Sequence, residues 1–413
     1  MIKRRQYFNK NVEVFELANL IGELNRLVFK FLADYKSHSL PGDILKFKIK
    51  SDLKTSLFPE MLLRDFLPKN NINQGNCDVP GYSFKIGNVD VKNPLISAPL
   101  AGISDNTYRI FARFFGSALM YTEMITSYGI YYRHKKSLAL TDITDYERPC
   151  ALQIFGSDPE IITEAALQIE DRADIIDINM GCPVPKILKA RSGGYLVQDE
   201  AKIEKIITGL SSVLKKPVTV KTRIGWDSNN INILNIAKIA EGSGASAISI
   251  HGRTVRQGFS GDVDYELIKK VKEKVKIPVI VSGDIDSPLK AKEILDYTGC
   301  DGIMIGRAVK GRLWLMMNML IFIIGNGGRV IDAEFNPGID WKKEFSKIYL
   351  KFLINFKGEN KAVREFRKHL CWIFKGTRGI SRARSEFFKI ESFKDAVNCI
   401  IDILPLLKQG DPN

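Results

Sequence analysis

The chain has 413 residues, 45% of them hydrophobic and 26% charged, which is the composition of a soluble globular protein with two or three domains. No apolar run approaches the roughly 18 residues that a membrane span needs, and no apolar secretory core follows the basic N-terminus Met1–Lys10, so we expect a cytoplasmic protein without a membrane partner. The formal net charge of +14 suits a polyanionic partner because neutralised phosphates release counterions, although a generally basic proteome explains the charge as well.

The first section, residues 1–90, carries no chemical motif. Apolar residues at helical spacing predict an amphipathic helix over Val12–Tyr35. We expect a turn at Pro41-Gly42, a short strand over Asp43–Lys50 and a linker over Asn70–Gly81 to follow. We interpret this N-terminal extension as a helical packing arm, with an RNA- or partner-binding extension as the alternative.

The middle section, residues 91–330, alternates short apolar strands with amphipathic helices. Eight strands are predicted, at Pro94–Pro99, Ala118–Met124, Cys150–Phe155, Asp174–Met180, Pro217–Thr222, Ser246–Ile250, Ile277–Ser282 and Gly302–Ile305. Each strand leads into a helix or a connection of helix length, which predicts an α/β fold of the (β/α)8 TIM barrel type. In such a barrel the functional residues lie at the carboxyl ends of the strands.

The last section, residues 335–413, is predicted to be a basic helical domain. Helices are expected over Trp341–Phe356, Ala362–Phe374 and Phe393–Leu406. Between Lys361 and Ile390 nine Lys or Arg residues stand against two Glu residues, and aromatic side chains lie among them. We favour an RNA-binding surface, and the alternative is a solvated face of a helical bundle.

Six cysteines are scattered along the chain, at Cys77, Cys150, Cys182, Cys300, Cys371 and Cys399. No two of them form a C-x-x-C pair, so a zinc or iron–sulfur site has little support and we expect no metal. Their spacing in so large a chain indicates reduced thiols.

The predicted strand ends carry polar residues in an informative order. Gln153, Lys221 and His251 lie at the ends of the third, fifth and sixth predicted strands. Glycine-rich turns follow the seventh and eighth strands. An amide and a cation suit the edge of a flavin ring, and backbone N–H groups after the last two strands suit its phosphate. Each residue alone is weak support, since a lone buried histidine is more often a core residue, but together they favour a flavin site.

At this point the sequence resembles the tRNA-dihydrouridine synthases, and most closely the bacterial branch called DusB. The resemblance covers about residues 90–405 and rests on five stretches, namely Pro94-Leu-Ile-Ser-Ala-Pro-Leu-Ala-Gly-Ile-Ser-Asp105, Asp177-Ile-Asn-Met-Gly-Cys-Pro183, Ile250-His-Gly-Arg-Thr254, Met304-Ile-Gly-Arg-Ala308 and Arg364-Glu-Phe-Arg-Lys-His-Leu-Cys-Trp-Ile-Phe-Lys-Gly376. Residues 1–90 have no recognised counterpart in the family pattern.

The resemblance implies a set of site residues. The flavin FMN would be lined by the backbone of Pro99, Leu100 and Ala101, bonded at its ring edge by Gln153 and Lys221, approached by His251, and held at its ribityl phosphate by Ser282, Gly283, Asp284, Gly306 and Arg307. Cys182 would be the catalytic acid, and NADPH would be the reductant. Leu100 stands where methionine is common in the family and Ser282 where asparagine is common; both positions act mainly through backbone.

A cysteine suits the implied chemistry. Reducing the 5,6 double bond of uracil needs a hydride at C6 and a proton at C5, and a thiol with a pKa near 8.5 is still protonated at neutral pH. A carboxylic acid would usually have lost its proton. Cys182 follows a strand end and a glycine, so we expect it on a mobile loop over the pocket, stiffened by Pro183 and Pro185.

The expected partner is tRNA, bound by a chain that we expect to be a monomer. A uridine in folded RNA must be unstacked to reach the pocket, which costs a few kcal/mol, and phosphate contacts offset that cost. Contacts are predicted at the barrel mouth and in the helical tail, at Arg109, Lys189, Arg191, Arg223, Arg253, Arg364, Arg367, Lys368 and Arg378.

Several alternatives stay open on the sequence alone. The substrate could be ribosomal RNA, or a free pyrimidine as in dihydroorotate dehydrogenase, and a non-catalytic RNA-binding protein could have kept the barrel. No glycine fingerprint of a separate dinucleotide-binding domain is present, so NADPH would have to visit the flavin face in turn with RNA. The sequence leaves open which uridine is modified and whether NADH replaces NADPH.

Overall fold

The computed structural model describes residues 14–39, 81–324 and 335–402. The predicted basic terminus, the turn at Pro41-Gly42, the strand over Asp43–Lys50 and nearly all of the linker lie outside the described residues. The described parts form two compact units, one containing the barrel with its helices and the other the N-terminal helix and the C-terminal helices. The predicted three-part division at 1–90, 91–330 and 335–413 stays a prediction.

The barrel unit opens with a two-stranded hairpin and continues with short parallel strands. The strands in chain order are β1 (Phe84–Ile86), β2 (Val89–Val91), β3 (Leu95–Ser97), β4 (Met120–Tyr121), β5 (Ile125–Thr126), β6 (Cys150–Phe155), β7 (Ile175–Met180), β8 (Val218–Arg223), β9 (Ala247–His251), β10 (Val279–Ser282) and β11 (Gly302–Ile305).

These strands confirm the predicted (β/α)8 barrel. The parallel sheet has the order β3-β11-β10-β9-β8-β7-β6-β4. A parallel bridge between Ile96 and Leu119 joins the first strand to the segment that leads into β4 and completes the ring. The predicted second strand is split in the structure, because residues 122–124 leave the ladder before β5 pairs with the end of β6.

The β1–β2 hairpin closes the amino-terminal end of the barrel. Ile86 and Val91 are buried in one cluster with residues from the first half of several barrel strands, among them Ala151 and Ile175, and Phe84 packs against it. This apolar layer leaves the carboxyl end as the face where ligands can bind.

The helices predicted in the first and last sections are present, with starts within a few residues of the predicted positions. The helices in chain order are α1 (Val14–Ser39), α2 (Asn106–Phe114), α3 (Ser127–Tyr131), α4 (Lys135–Ala139), α5 (Pro159–Leu167), α6 (Pro185–Lys189), α7 (Glu200–Val213), α8 (Ile233–Gly242), α9 (Tyr265–Lys272), α10 (Pro288–Thr298), α11 (Trp314–Ile324), α12 (Ile339–Lys357), α13 (Glu359–Ile373), α14 (Ile380–Phe387) and α15 (Phe393–Asp402). Several barrel helices begin with a capping side chain; Ser287, for example, precedes Pro288 and accepts from the N–H of Lys290.

The helical unit includes the N-terminal helix. The indole N–H of Trp341 in α12 donates to the carbonyl of Leu27 in α1 at 3.3 Å, and its ring lies 5.7 Å from that of Phe31. Lys351 and Glu23 form an ion pair at 2.8 Å. The structure also contains α14, which the sequence did not predict, because its buried residues are few and two glycines precede it. In the ranges that the structure describes, no helix could cross a membrane.

Candidate active site

A row of buried polar side chains crosses β6, β7 and β8 below the barrel mouth. The strand register places Asp177 between Gln153 and Thr219. Its carboxylate accepts hydrogen bonds from Thr219 Oγ1 at 2.6 Å and from Gln153 Nε2 at 2.8 Å. Burial raises the pKa of Asp177 to about 7, and the two hydrogen bonds oppose that rise. The row is a fixed hydrogen-bonded support for what lies above it.

Asn179 connects this row to the loop that follows β7. Its Nδ2 donates to Gln153 Oε1 at 2.8 Å, and its Oδ1 accepts the N–H groups of Gly181 at 3.1 Å and Cys182 at 3.0 Å. The carbonyl of Cys182 accepts from the N–H of Gly194 at 3.0 Å. The cysteine therefore lies on the predicted loop, and its backbone is anchored there on both sides.

The thiol of Cys182 is half-buried between opposing influences. Burial raises its pKa, while a backbone hydrogen bond from Val184 and the nearby cations Arg223 and Lys221 act in the opposite direction. Because burial dominates, the thiol carries its proton at neutral pH. The same two cations would stabilise a thiolate once the proton had left.

His251 lies at the end of β9 in a strongly positive environment. Burial and the charges of Lys221, Arg223, Arg253 and Arg307 lower its pKa to about 2. The imidazole is therefore neutral at physiological pH, with Nε2 3.5 Å from Arg253 Nη1. Burial and Arg223 also lower the pKa of Lys221, to about 8. A neutral histidine can donate or accept a hydrogen bond but is not a ready acid.

The turns after β10 and β11 form a positively charged cradle. Arg307 Nη2 lies 2.5 Å from Asp284 Oδ1, and Arg253 bonds the other carboxylate oxygen. Arg253, through its hydrogen bond, and Arg307 hold the pKa of Asp284 below its usual range. Gly283 has φ +125°, and a Cβ there would lie 2.8 Å from His251 Cδ2, so only glycine fits. Arg307, whose side chain is 45% exposed, can hold an anion beside this backbone, whereas Arg253 is buried and its nitrogens are already bonded.

The side chain of Asp284 does not have the role that the resemblance implies. The resemblance implies that Asp284 holds a phosphate, but its side chain is an anion that would repel one. In the structure the side chain orients Arg253 and Arg307 instead. Any direct contact of Asp284 with a phosphate would have to come from its backbone N–H group.

The remaining predicted cofactor residues gather at the mouth, except for one. The turn 99–101 is half-buried to exposed, and Ser104 Oγ accepts from the N–H of Leu100 at 2.6 Å. A Cβ on Gly306 would make ordinary contact with Leu100 at 3.8 Å, and Ser282 ends β10 at 8% exposure. Gln153 instead lies fully buried, so it positions Asn179; its contact with a flavin stays a prediction.

The prediction that Arg109 contacts RNA is wrong. The side chain is 2% exposed, and its guanidinium donates to Glu147 at 2.5 Å, to the carbonyl of Ser104 at 2.6 Å and to that of Asp142 at 2.9 Å. Every nitrogen of the group is bonded within the barrel unit, so Arg109 stabilises the fold and cannot grip a phosphate.

The other four predicted cations of the barrel fall into two pairs. Arg223 and Arg253 are each 2% exposed, and both donate to backbone carbonyls. Arg223, for example, donates to the carbonyl of Gly258 at 2.7 Å. They belong to the walls of the pocket, and their predicted contact with RNA at the barrel mouth stays a prediction. Lys189 and Arg191 are exposed on the stretch after the cysteine loop and stay candidates for phosphate contact.

The helical unit separates its predicted RNA contacts in the same way. Arg364 and Arg378 are exposed. Arg367 instead donates twice to the carbonyl of Ile390, at 2.9 and 2.6 Å, which makes it a structural residue. The ammonium of Lys368 lies 5.9 Å from the ring centre of Trp372. Contact of this surface with RNA stays a prediction for the exposed members.

Sequence reasoning missed Asn179, Asp177 and Thr219 as parts of the site. The available signal was polar side chains inside buried strands, which need internal partners. The structure also shows no metal centre: in residues 14–39, 81–324 and 335–402, no group of three or more His, Cys, Asp or Glu side chains could hold an ion.

Comparison with known proteins gives one family. The family profile described as dihydrouridine synthase (Dus) matches residues 96–406. The chain is 38% identical over 310 residues to tRNA-dihydrouridine synthase B of Vibrio parahaemolyticus, covering 75% of this chain and 95% of that protein. It is 36% identical over 311 residues to tRNA-dihydrouridine synthase B of Pseudomonas aeruginosa, covering 74% and 91%.

A third related sequence and one solved structure are also similar to this chain. A probable tRNA-dihydrouridine synthase of Rickettsia bellii is 37% identical over 295 residues, covering 71% of this chain and 89% of that protein. Among solved structures, histamine dehydrogenase from Rhizobium sp. 4-9 aligns with a TM-score of 0.47 at 11% identity, covering 65% of this chain and 50% of that chain. That structural likeness is too loose to carry an argument.

Proposed function

The chain belongs to the dihydrouridine synthase family, and on that premise we propose that it reduces uridine in tRNA to 5,6-dihydrouridine with FMN and NADPH, and that Cys182 is the proton donor. The observation that carries the proposal is the position of Cys182: its thiol is half-buried near Lys221 and Arg223, and Asn179 holds its backbone N–H.

The residues at the mouth fit a phosphate-bearing flat cofactor. The turn at Gly283 packs directly against His251, and next to it Asp284 bonds both Arg253 and the exposed Arg307. Because a phosphate is an anion, this donor set suits it. FMN, when bound and reduced by NADPH, would supply the hydride that adds to C6 of the uracil ring.

The chain's own part in the reaction is to deliver and replace a proton. As C6 receives the hydride, the S–H bond of Cys182 breaks and its proton forms the C–H bond at C5. Lys221 and Arg223 stabilise the thiolate that remains, and water then restores its proton. Asn179 keeps the thiol in place throughout, since it holds the backbone N–H of the cysteine.

His251 is a weaker candidate for the proton donor than Cys182. A pKa lowered to about 2 leaves the imidazole neutral, and its surrounding cations oppose the charged form that an acid would need. Its role in this proposal is to pack against the Gly283 turn and to bond Arg253.

RNA is favoured over a free pyrimidine by the basic surfaces that flank the mouth. Lys189 and Arg191 are exposed next to the cysteine loop, and the whole chain carries a net charge of +14. A free base would need no such surface.

The test is dihydrouridine formation by the purified protein on an unmodified tRNA transcript, supplied with FMN and NADPH. We expect dihydrouridine in the tRNA and a flavin absorbance that co-purifies with the protein. A colourless protein that fails to retain FMN after reconstitution would overturn the flavin assignment. Reduction of free uracil or of ribosomal RNA in preference to tRNA would overturn the assignment of the substrate.

A further inference from the structure

A cluster of exposed rings follows β5 at the mouth side of the barrel. Tyr128, Tyr131 and Tyr132 are 41%, 38% and 61% exposed. We call residues 128–136, which contain these rings, the aromatic–basic patch. Contiguous exposed aromatic surface is uncommon on a protein that binds nothing there, and it commonly marks an interaction site.

The backbone under the patch is firmly held. Ser127, Gly129 and Ile130 are buried on the inner face of α3, and a Cβ on Gly129 would lie 2.1 Å from Ser137 Oγ, so α3 and α4 approach closely. The N–H of Arg133 donates to the carbonyl of Ile130 at 2.8 Å. The rings therefore stand on an ordered turn.

The rings form a row in which all three tyrosines keep exposed surface. Tyr132 lies between Tyr128, at 6.5 Å and 24° between ring planes, and His134, at 6.4 Å and 29°. Tyr131 meets Tyr132 edge to face at 4.9 Å. Roughly parallel rings with exposed surface offer places on which flat bases can stack.

Cations follow these rings in the chain. Arg133, Lys135 and Lys136 are exposed, and within the part of the chain that the structure describes none of the three side chains has a hydrogen bond or an ion pair. Arg133 also has φ +54°, a conformation that non-glycine residues rarely adopt. Aromatic rings next to unpaired cations are typical of surfaces that bind single-stranded nucleic acid.

The patch begins close to the catalytic loop. Met124, which precedes β5, has its sulfur 3.7 Å from Asn179 Nδ2, and Asn179 Oδ1 accepts the N–H of Cys182. β5 pairs with the last two residues of β6, at the carboxyl end of the barrel. An RNA segment that places a uridine in the pocket would have the neighbouring nucleotides within reach of this surface.

We propose that the aromatic–basic patch binds unpaired nucleotides of the RNA next to the target uridine. Tyr128, Tyr131 and Tyr132 stack on their bases, and Arg133, Lys135 and Lys136 contact their phosphates. In an intact RNA double helix the bases stack on one another and their faces are covered, so the patch selects unpaired or extruded nucleotides. This inference rests on the proposed function and names the part of the substrate that the site recognises.

The test replaces the rings together and measures binding of two probes, a short oligouridylate and an unmodified tRNA transcript. Stacking on one ring is worth about 1–3 kcal/mol, or roughly 5- to 150-fold in affinity, so Tyr128→Ala, Tyr131→Ala and Tyr132→Ala combined should weaken binding of both probes at least roughly tenfold. The corresponding Tyr→Phe changes keep the ring faces and should retain affinity.

A matched ring control exists on the opposite face. Tyr297 is 48% exposed at the end of α10, and the helices of the barrel run back toward its amino-terminal face. Tyr297→Ala should leave RNA affinity unchanged.

The charges are tested separately. Alanine at Arg133, Lys135 and Lys136 should lower the salt dependence of tRNA binding by about one unit for each phosphate that the protein no longer neutralises. Alanine at the exposed Lys274 and Lys276, which follow α9, should leave it unchanged.

Dihydrouridine formation by the wild-type protein, measured on the same tRNA, separates the two claims. If the wild type forms dihydrouridine and the tyrosine variant binds both probes normally, the patch proposal is overturned and the surface serves a protein partner or none. If the wild type forms no dihydrouridine while RNA binding still depends on the rings, the patch stands and the proposed function does not.

Discussion

Asn179→Ala should separate the anchoring of the catalytic loop from the chemistry of its thiol. The Asn179 side chain makes four hydrogen bonds: it donates to Gln153 and to the sulfur of Met124, and it accepts from the N–H groups of Gly181 and Cys182. Alanine removes all four without changing the cysteine itself. The buried Oε1 of Gln153 then loses a partner, and the loop loses its tie to β7.

The size of the effect follows from those bonds. Each is worth about 0.5–1.5 kcal/mol net, so the free energy of unfolding should fall by about 2–4 kcal/mol. A displacement of the thiol by about 1 Å can cost roughly 10²-fold in rate. We therefore expect RNA-dependent reoxidation of reduced flavin to slow by about that factor, while reduction of the flavin by NADPH continues.

Asn93→Ala is the matched control. Asn93 is 2% exposed at the amino-terminal end of β3, where it bonds the carbonyl of Gly116 at 3.1 Å and the N–H of Leu95 at 2.9 Å. It should lose comparable stability in urea denaturation and keep its reoxidation rate, measured by stopped flow. If Asn179→Ala reoxidises at the wild-type rate, or if Asn93→Ala slows as much, the positioning role of Asn179 is wrong.

Three further predictions follow from charges in the structure. Because burial raises the pKa of Asp177 from 3.8 to about 7, the folded state binds its proton more tightly than the unfolded state; the associated stability of about 4 kcal/mol is present at low pH and is lost as the pH rises through about 7. Urea denaturation across this range should show that loss, and Asp177→Asn should remove it; an unchanged pH dependence in the variant would refute the assignment. Arg307→Ala should weaken FMN binding roughly 10- to 150-fold, the worth of a hydrogen bond to a charged group, and a flavin fluorescence titration without a change in Kd would contradict the cradle. The double change Arg364→Ala and Arg378→Ala should lower the salt slope of tRNA binding by about two. Arg367→Ala should chiefly lower the free energy of unfolding. Equal effects on RNA binding would show that exposure of the side chain does not decide which arginines contact RNA.

The barrel was predictable because its strands are short apolar runs of regular spacing. Cys150–Phe155 and Gly302–Ile305 begin and end where the apolar pattern predicts. The split between β4 and β5 was not predictable, because residues 122–124 continue the composition of a strand while their backbone leaves the ladder. Local pattern cannot show which residues keep a pairing partner.

The candidate site was predictable in its residue types and less so in their roles. A motif places Cys182 after a strand, and the thiol's chemistry follows from its ordinary pKa. The partner of Arg109 is Glu147, 38 residues away, and nothing in the local sequence shows that the pair is buried. The same holds for Arg367, whose guanidinium bonds the carbonyl of Ile390. The sequence therefore shows how many cationic side chains are present, but not which of them are exposed and able to contact RNA.

The central claim is that Cys182 delivers the C5 proton, and single-turnover reoxidation of the reduced protein by tRNA tests it most directly. Cys182→Ala should fold, bind FMN and tRNA, and accept electrons from NADPH normally, while reoxidation by tRNA falls by about 10²- to 10⁴-fold. Cys182→Ser should restore little, since a hydroxyl is a far weaker acid, and Cys371→Ala, at another half-buried free thiol, should behave as the wild type. A Cys182→Ala protein that reoxidises at the normal rate with tRNA would contradict the account.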